Sequence, residues 1–348
     1  MKQRIDVGIL GATGAVGQEF IVQLATHPWF NIAWLAASQR SEGRRYADAT
    51  AWRMPDTLPE RIADLMVDGV MPGRAPKVLF SGLDASVAGD VETAFAEAGH
   101  IVISNARNHR MDPAVPLLVP EVNADHLQLV SAQQAVKGWR GRIVTNPNCS
   151  TVVLTMALAP LRRFGLKTVV VTTLQAVSGA GYPGVPSLDI LGNVIPFIGG
   201  EEEKIETEPK KILGCYKNGA VEMHPVTVSA HTTRVPVING HTAMISVAFE
   251  HPPQPDELIE AFREFRGRPQ EAGLPTAPVQ PLVYLDEANR PQPRLDVDRG
   301  RGMTVSVGRL RPCRVFDVKF VAMGHNTVRG AAGAAVLNAE LMHVDGLL

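Results

Sequence analysis

An α/β protein built in two parts is predicted by three features of the chain. It opens on a strand, a glycine-rich turn and a helix; apolar strands and helices then alternate through the first half; and longer, β-branched strands with irregular loops take over past Cys149. The first part is expected to be a doubly wound parallel sheet over residues 1–148, joined by the C-terminal helix 326–348, and the second an α+β domain over 149–325. With 348 residues, the chain has ample length for two cores.

Composition narrows the function classes. A formal net charge of −1 gives no electrostatic footprint for nucleic acid or another polyanion. The three cysteines, Cys149, Cys215 and Cys313, are odd in number and far apart, so neither a disulfide framework nor a metal site is expected. Without an apolar run of bilayer length and with a strand almost at the first residue, the expected location is cytoplasmic, away from any membrane.

At the start, the strand Val7–Leu10 runs into Gly11-Ala12-Thr13-Gly14-Ala15-Val16-Gly17 and an amphipathic helix from Gln18 to Ala25. The spacing G-x-x-G-x-x-G between strand and helix is that of a Rossmann-type dinucleotide turn. Gly11 permits the tight turn, Gly14 lets a pyrophosphate approach the backbone, and Gly17 lets helix and strand pack closely. The next strand, Ile32–Ala37, lacks a carboxylate at its end, where NAD enzymes bond the ribose 2′-hydroxyl. It continues as Ser38-Gln39-Arg40-Ser41-Glu42-Gly43-Arg44, whose hydroxyls and guanidiniums suit a 2′-phosphate, so NADP is expected; Glu42 counts against this. Strands are expected at 77–82 and 100–105 with a helix over 86–98 between them, while 52–73 shows no clear pattern. Arg107 and Arg110 lie on a basic loop at a strand's C-terminal end, the edge where open α/β sheets hold ligands. Residues 116–123 read as an extended connection.

The middle of the chain carries Asn146-Pro147-Asn148-Cys149-Ser150-Thr151, between a strand at 141–145 and an apolar helix that Ser150 or Thr151 would cap. A cysteine at a helix start meets the dipole and free N–H groups that lower a thiol pKa and make a nucleophile; a buried structural thiol is the alternative. Next, the strand 168–175 ends on the amide of Gln175 and enters the flexible loop 176–184. Glu201 and Lys204, three apart on a charged helix reaching about Leu213, share a face. Arg234 and His241 flank a broken strand at 226–241, where Asn239-Gly240 signals a hairpin into the strand 242–250. His241 suits proton transfer, though His224, His231 and His325 compete for the role. A small-residue helix over 331–342 closes the chain and is expected to pack on the first domain.

Taken together, the glycine turn at 11–17, the sextet 146–151, Glu201-Glu202-Glu203-Lys204, Arg234-Val235-Pro236-Val237 with Gly240-His241, and the stretch 326–340 resemble the aspartate-β-semialdehyde dehydrogenase family, in its archaeal and fungal branch. The resemblance covers nearly the whole chain. It implies Cys149 as nucleophile, His241 as acid/base and Gln175 as the group positioning the reacting centre. It also implies Arg234 on the substrate carboxylate, Glu201 on its amino group, and Arg110 with Lys204 on phosphate. Gly11, Thr13, Gly14, Ala15, Val16, Ser38, Arg40, Ser41, Ser178, Gly179 and Asn326 would hold NADP. The implied reaction is NADPH-dependent reduction of aspartyl phosphate to aspartate semialdehyde and phosphate through a Cys149 thioester. The second part would then be a catalytic and dimerisation domain, and the protein a homodimer or homotetramer. The rival readings are an acyl-CoA reductase, such as a malonyl-CoA reductase, and a catalytically inactive NADPH-binding regulatory protein.

Overall fold

The structure, a computed structural model, describes residues 4–348. Six short strands, β1 (Ile5–Leu10), β2 (Phe30–Ala37), β3 (Val67–Gly69), β4 (Val78–Ser81), β5 (Ile101–Ser104) and β6 (Arg142–Thr145), form one sheet. They run in the order β3-β2-β1-β4-β5-β6, and every pair is parallel. The chain reverses direction across the sheet between β1 and β4, so a crevice opens at the C-terminal ends of these strands. Helices cover both faces, and β4 and β5 are buried along their whole lengths, as their unbroken apolar runs require.

The turn after β1 explains its glycines. Gly11 has φ +76°, and a Cβ on Gly17 would collide with the Gly11 carbonyl, so helix Ala15–Ala25 could not approach the strand with any other residue there. Segment 52–73, whose sequence shows no clear pattern, supplies a helical turn at Glu60–Ala63 and the edge strand β3. Part of 116–123 is helical rather than extended: Pro120–Asn123 makes one turn, stabilised by Asn123, whose Oδ1 accepts from the Val119 N–H at 2.8 Å.

The second sheet is mixed. Strands β7 (Leu166–Gln175), β10 (Thr227–Arg234), β11 (His241–Phe249), β12 (Leu282–Leu285), β13 (Val305–Pro312) and β14 (Val318–Gly324) lie in the order β10-β7-β11-β14-β13-β12; a separate hairpin joins β8 (Cys215–Lys217) to β9 (Ala220–Glu222). The Asn239-Gly240 pair does not make the expected hairpin. β7 lies between β10 and β11, parallel to the first and antiparallel to the second, so residues 235–240 form a crossing loop over the end of β7. The Gly240 N–H donates to Asn326 Oδ1 at 2.9 Å, so the positive φ of Gly240 (+101°) serves that loop and not a two-residue turn.

Two cores follow. Apolar residues of helix Cys149–Leu158 pack with the second sheet, whereas Val328 and residues 332–342 pack with β1, β2, β4 and β5. The chain's last helix, Gly333–Val344, therefore belongs physically to the first sheet, preceded by a π-helical turn at Val328–Ala332. Among the described residues, no helix is long and apolar enough to cross a membrane.

Candidate functional site

Helix Cys149–Leu158 begins where the first sheet ends, and its cap is Asn148, not Ser150 or Thr151. Asn148 Oδ1 accepts from the Ser150 and Thr151 N–H groups at 2.9 and 3.2 Å, and its carbonyl accepts from Val152 N–H at 2.9 Å. The Cys149 N–H, first in the helix, has no intrahelical acceptor, and the Ser150 N–H lies against the thiol. The Asn148 amide in turn donates to both oxygens of Glu201, at 2.9 and 2.8 Å. Glu201 also accepts from Lys204 at 2.6 Å and from Gln175 at 3.2 Å. Asn148, Gln175, Glu201 and Lys204 thus form one network around the thiol.

Arg234 and His241 enter from the ends of β10 and β11. His241 Nδ1 accepts from the Ala176 N–H at 3.0 Å; since an amide can only donate, that nitrogen carries the lone pair and Nε2 carries the proton of the neutral ring. Nε2 is buried and has no hydrogen-bond partner within the protein. Arg234 Nη1 donates to the Ala176 carbonyl at 2.7 Å, so the backbone of one residue fixes both side chains. A Cβ on Gly179 would lie 2.9 Å from His241 Cε1 and 3.0 Å from Arg234 Nη1, which explains why that loop position is glycine.

Electrostatics overturn one expectation. Burial, and next the Glu201 carboxylate, push the Cys149 thiol up to about 12 against the pull of Arg110 and Arg234, although its surface still reaches the cleft. Burial, and then Arg234, push His241 down to about 3. The resting pair is therefore thiol and neutral imidazole. The helix start does not produce a lowered thiol pKa because burial, and then the Glu201 charge, outweigh Arg110, Arg234 and the Ser150 N–H at that start. Burial also opposes ionisation of Glu201, but Lys204, Asn148 and Gln175 outweigh it and hold that carboxyl below its ordinary value.

Arg110 and Lys204, expected as an anion-binding pair, are each matched with a carboxylate: Arg110 Nη1 with Glu208 at 2.8 Å, Lys204 with Glu201. Arg107 is exposed, with its guanidinium beside Gly200. Among the competing histidines, His231 is exposed on the second sheet's outer face. His224 Nδ1 accepts from the Val226 N–H, and His325 Nδ1 faces the Val328 N–H at 3.3 Å; neither has a buried, unpartnered nitrogen such as His241 Nε2.

The residues expected to hold a dinucleotide lie along the domain border. Thr13, Ser38, Arg40 and Ser41 line a cavity of about 360 Å³ with Arg44 and Arg53. The Glu42 carboxylate lies against Gly69 instead, so the one acidic residue of the loop does not face this cavity. Gly14 is the residue before helix Ala15–Ala25, whose N-terminus suits a pyrophosphate, and Val16 packs on Gly82. Ala15 and Ser178 border a second cavity of about 720 Å³ with Tyr182 and Thr327. Ser178 accepts from Asn326 Nδ2 at 2.8 Å, and Gly179 lies under His241. A cavity lined by hydroxyls and three arginines, leading along a helix start toward Ser178 and His241, fits NADP. Among the described residues, no cluster of side chains is suited to a metal ion.

Sequence reasoning missed Asn148, Glu208, Arg44, Arg53 and Gly330. Asn148 had a legible signal, since Asn is a preferred helix cap. Glu208 follows Glu201 and Lys204 at helical spacing, and Arg44 ends the loop whose guanidiniums suit a 2′-phosphate. Gly330 had no signal: it abuts the nucleophile only through the tertiary fold, where its Cβ would lie 2.6 Å from Cys149 Cβ.

A dinucleotide-binding sheet joined to a mixed-sheet domain, with a helix-start cysteine under the charge of an arginine that shares its backbone anchor with a buried histidine, defines a two-domain dehydrogenase of the cysteine-dependent kind. The comparisons agree. Residues 6–130 match the family described as "Semialdehyde dehydrogenase, NAD binding domain", and residues 158–329 match "Semialdehyde dehydrogenase, dimerisation domain". An aspartate-semialdehyde dehydrogenase of Methanothermobacter thermautotrophicus is 51% identical over 344 residues, covering 97% of this chain and 99% of that protein. One from Cryptococcus neoformans is 49% identical over 362 residues, covering 100% and 99%. The crystal structure of the Candida albicans aspartate semialdehyde dehydrogenase with NADP superposes with a TM-score of 0.91 at 43% identity, covering 99% of this chain and 100% of that one. The chain belongs to the aspartate-semialdehyde dehydrogenase family.

Proposed function

We propose that the protein catalyses NADPH-dependent reduction of L-aspartyl-4-phosphate to L-aspartate 4-semialdehyde and phosphate, a step of lysine, threonine and methionine biosynthesis, with Cys149 as the acyl-carrying nucleophile. The observation that carries the reading is the cysteine at a capped helix start, under the charges of Arg234 and Glu201, with Gln175 bonded to that carboxylate and the buried Nε2 of His241 left without a partner. Arg234 supplies a cation for the substrate carboxylate and Glu201 an anion for its amino group, while Arg110 and Lys204 face the phosphate.

In this mechanism the Cys149 sulfur bonds to the acyl carbon, the acyl–oxygen bond to phosphate breaks, and the thiol proton leaves with the phosphate dianion. The Cys149 N–H faces the oxyanion of each tetrahedral state. When bound, the nicotinamide supplies the hydride that reduces the thioester. His241 holds its proton at Nε2, the nitrogen open to the site, so its first act is to donate toward the oxygen that gains charge. The hemithioacetal then opens to the aldehyde and the sulfur regains a proton. Gln175, held by Thr173 and Glu201, orients the acyl group.

In this reading residues 1–148 with 326–348 bind NADP(H), and 149–325 carry catalysis and dimerisation. A homodimer or homotetramer is supported by the description of the matching family and by Leu188, Leu191, Val194 and Phe197, all exposed on one segment beside the second sheet. Three unpaired cysteines suit a cytoplasmic setting. The test is to incubate the protein with aspartate semialdehyde and NADP without phosphate and map the adduct by mass spectrometry. An aspartyl group on the Cys149 peptide is expected. Labelling elsewhere, or none, would refute the assignment.

A further inference from the structure

The helix Glu201–Ile212 bears charges at 201, 204, 208 and 211, spaced 3-4-3, so all four occupy one face. Glu201 and Lys204 belong to the network around the thiol. Lys211 is buried and donates to three carbonyls, of Arg110, Asp112 and Val115, at 2.8, 2.7 and 2.8 Å, pinning the loop that carries Arg110. Between them lies Glu208, with a side chain 2% exposed and its two oxygens divided. Oε1 accepts from Arg110 Nη1 at 2.8 Å; Oε2 accepts from the Asn148 backbone N–H, one residue before the nucleophile, at 2.7 Å.

We propose that Glu208 is a positioning residue that couples anion binding at Arg110 to the placement of Cys149. This rests on the reading of Arg110 as a phosphate-site cation. Arg110 is otherwise tied only through Nη2, to the Asn105 carbonyl at 2.7 Å, and its Nε is buried without a partner. An incoming phosphate thus competes with Glu208 for the guanidinium. What the carboxylate yields there it can invest in the Asn148 N–H, tightening the turn that aims Cys149. The resting ion pair also keeps Arg110 from being an unmatched buried charge. The arrangement holds the phosphate site poised at moderate affinity.

The test compares wild type with Glu208→Gln in phosphate-dependent oxidation of aspartate semialdehyde. Removing the competing charge lowers KM for phosphate by about threefold or more, while losing the shared acceptor lowers kcat about tenfold, the scale of one charge-assisted hydrogen bond. KM for semialdehyde, which depends on Arg234, stays within about twofold. A merely structural Glu208 would lower kcat with KM for phosphate unchanged or raised, and that result overturns the proposal. Glu208→Asp, which keeps the charge, restores the phosphate KM toward wild type; should Glu208→Gln not fold, Glu208→Asp replaces it and is expected to lower kcat with phosphate KM near wild type, and a kcat equal to wild type refutes the coupling. A second readout needs no turnover: inorganic phosphate should change the rate at which iodoacetamide alkylates Cys149 in wild type and not in Glu208→Gln. An equal response in both proteins overturns the coupling, whatever the substrate proves to be.

Discussion

Replacing Gly330 with alanine tests how tightly the site depends on the chain's C-terminal segment. The added methyl would lie 2.6 Å from Cys149 Cβ and 3.0 Å from its Cα, about 1 Å inside ordinary carbon–carbon contact. Gly330 cannot retreat easily. Its neighbour Arg329 is fully buried and makes a two-pronged ion pair with Glu121 at 2.7 and 2.6 Å, while the Ala331 carbonyl accepts from Asn146 at 2.9 Å. The displacement therefore falls on Cys149 and the first turn of its helix. A misplacement of about 1 Å in a reacting group costs about a hundredfold in rate, and overpacking of this kind costs about 1–3 kcal/mol of stability. The assay is steady-state oxidation of aspartate semialdehyde with phosphate, with NADPH binding followed by fluorescence and unfolding by circular dichroism. Gly330→Ala should lose about a hundredfold in kcat with NADPH affinity nearly intact. A folded variant with kcat near wild type would show that the contact does not set the nucleophile.

Other expectations are shorter. Cys149→Ser should abolish turnover while leaving NADPH affinity nearly unchanged; residual turnover close to wild type would remove Cys149 from the mechanism. Because the thiol is pushed up to about 12 and His241 down to about 3, both stay neutral between those limits. Alkylation of Cys149 by iodoacetamide in the ligand-free protein should therefore be slow at neutral pH and still climbing about tenfold per pH unit into the alkaline range, as the small thiolate fraction grows; a plateau reached by neutral pH would contradict this. Glu121→Gln leaves Arg329 buried without its counter-charge and should destabilise the fold by about 3–5 kcal/mol, read as a large loss of melting temperature. Arg40→Asp places a carboxylate in the cavity assigned to the 2′-phosphate and should raise KM for NADPH by tenfold or so; an unchanged cofactor preference would move the 2′-phosphate elsewhere.

The first sheet was legible because its strands are buried on both faces and its glycine turn obeys a local steric rule. Gly11 and Gly17 are required by contacts within the same βα unit. The second sheet was less so. Asn239-Gly240 carries a strong local hairpin preference, yet β7, far away in sequence, inserts between the flanking strands, and no short window contains that information. The candidate site divides in the same way. Cys149, Gln175, Arg234 and His241 were singled out by residue type and position at strand or helix ends, and the structure brings them together around Ala176 and Asn148. The charge state of the thiol is not legible in the sequence, because the burial that raises it most and the Glu201 carboxylate that adds to this both come only with tertiary packing. Glu208 and Gly330 act through contacts across 60 and 181 residues of sequence respectively, between elements of different domains.

The central claim is that Cys149 passes an acyl group between a nicotinamide-dependent redox step and inorganic phosphate. Its most direct test is a substrate comparison with the purified protein. NADP reduction by aspartate semialdehyde should require inorganic phosphate, and malonyl-CoA should support no NADPH oxidation. Activity with malonyl-CoA, and none with semialdehyde plus phosphate, would contradict the account.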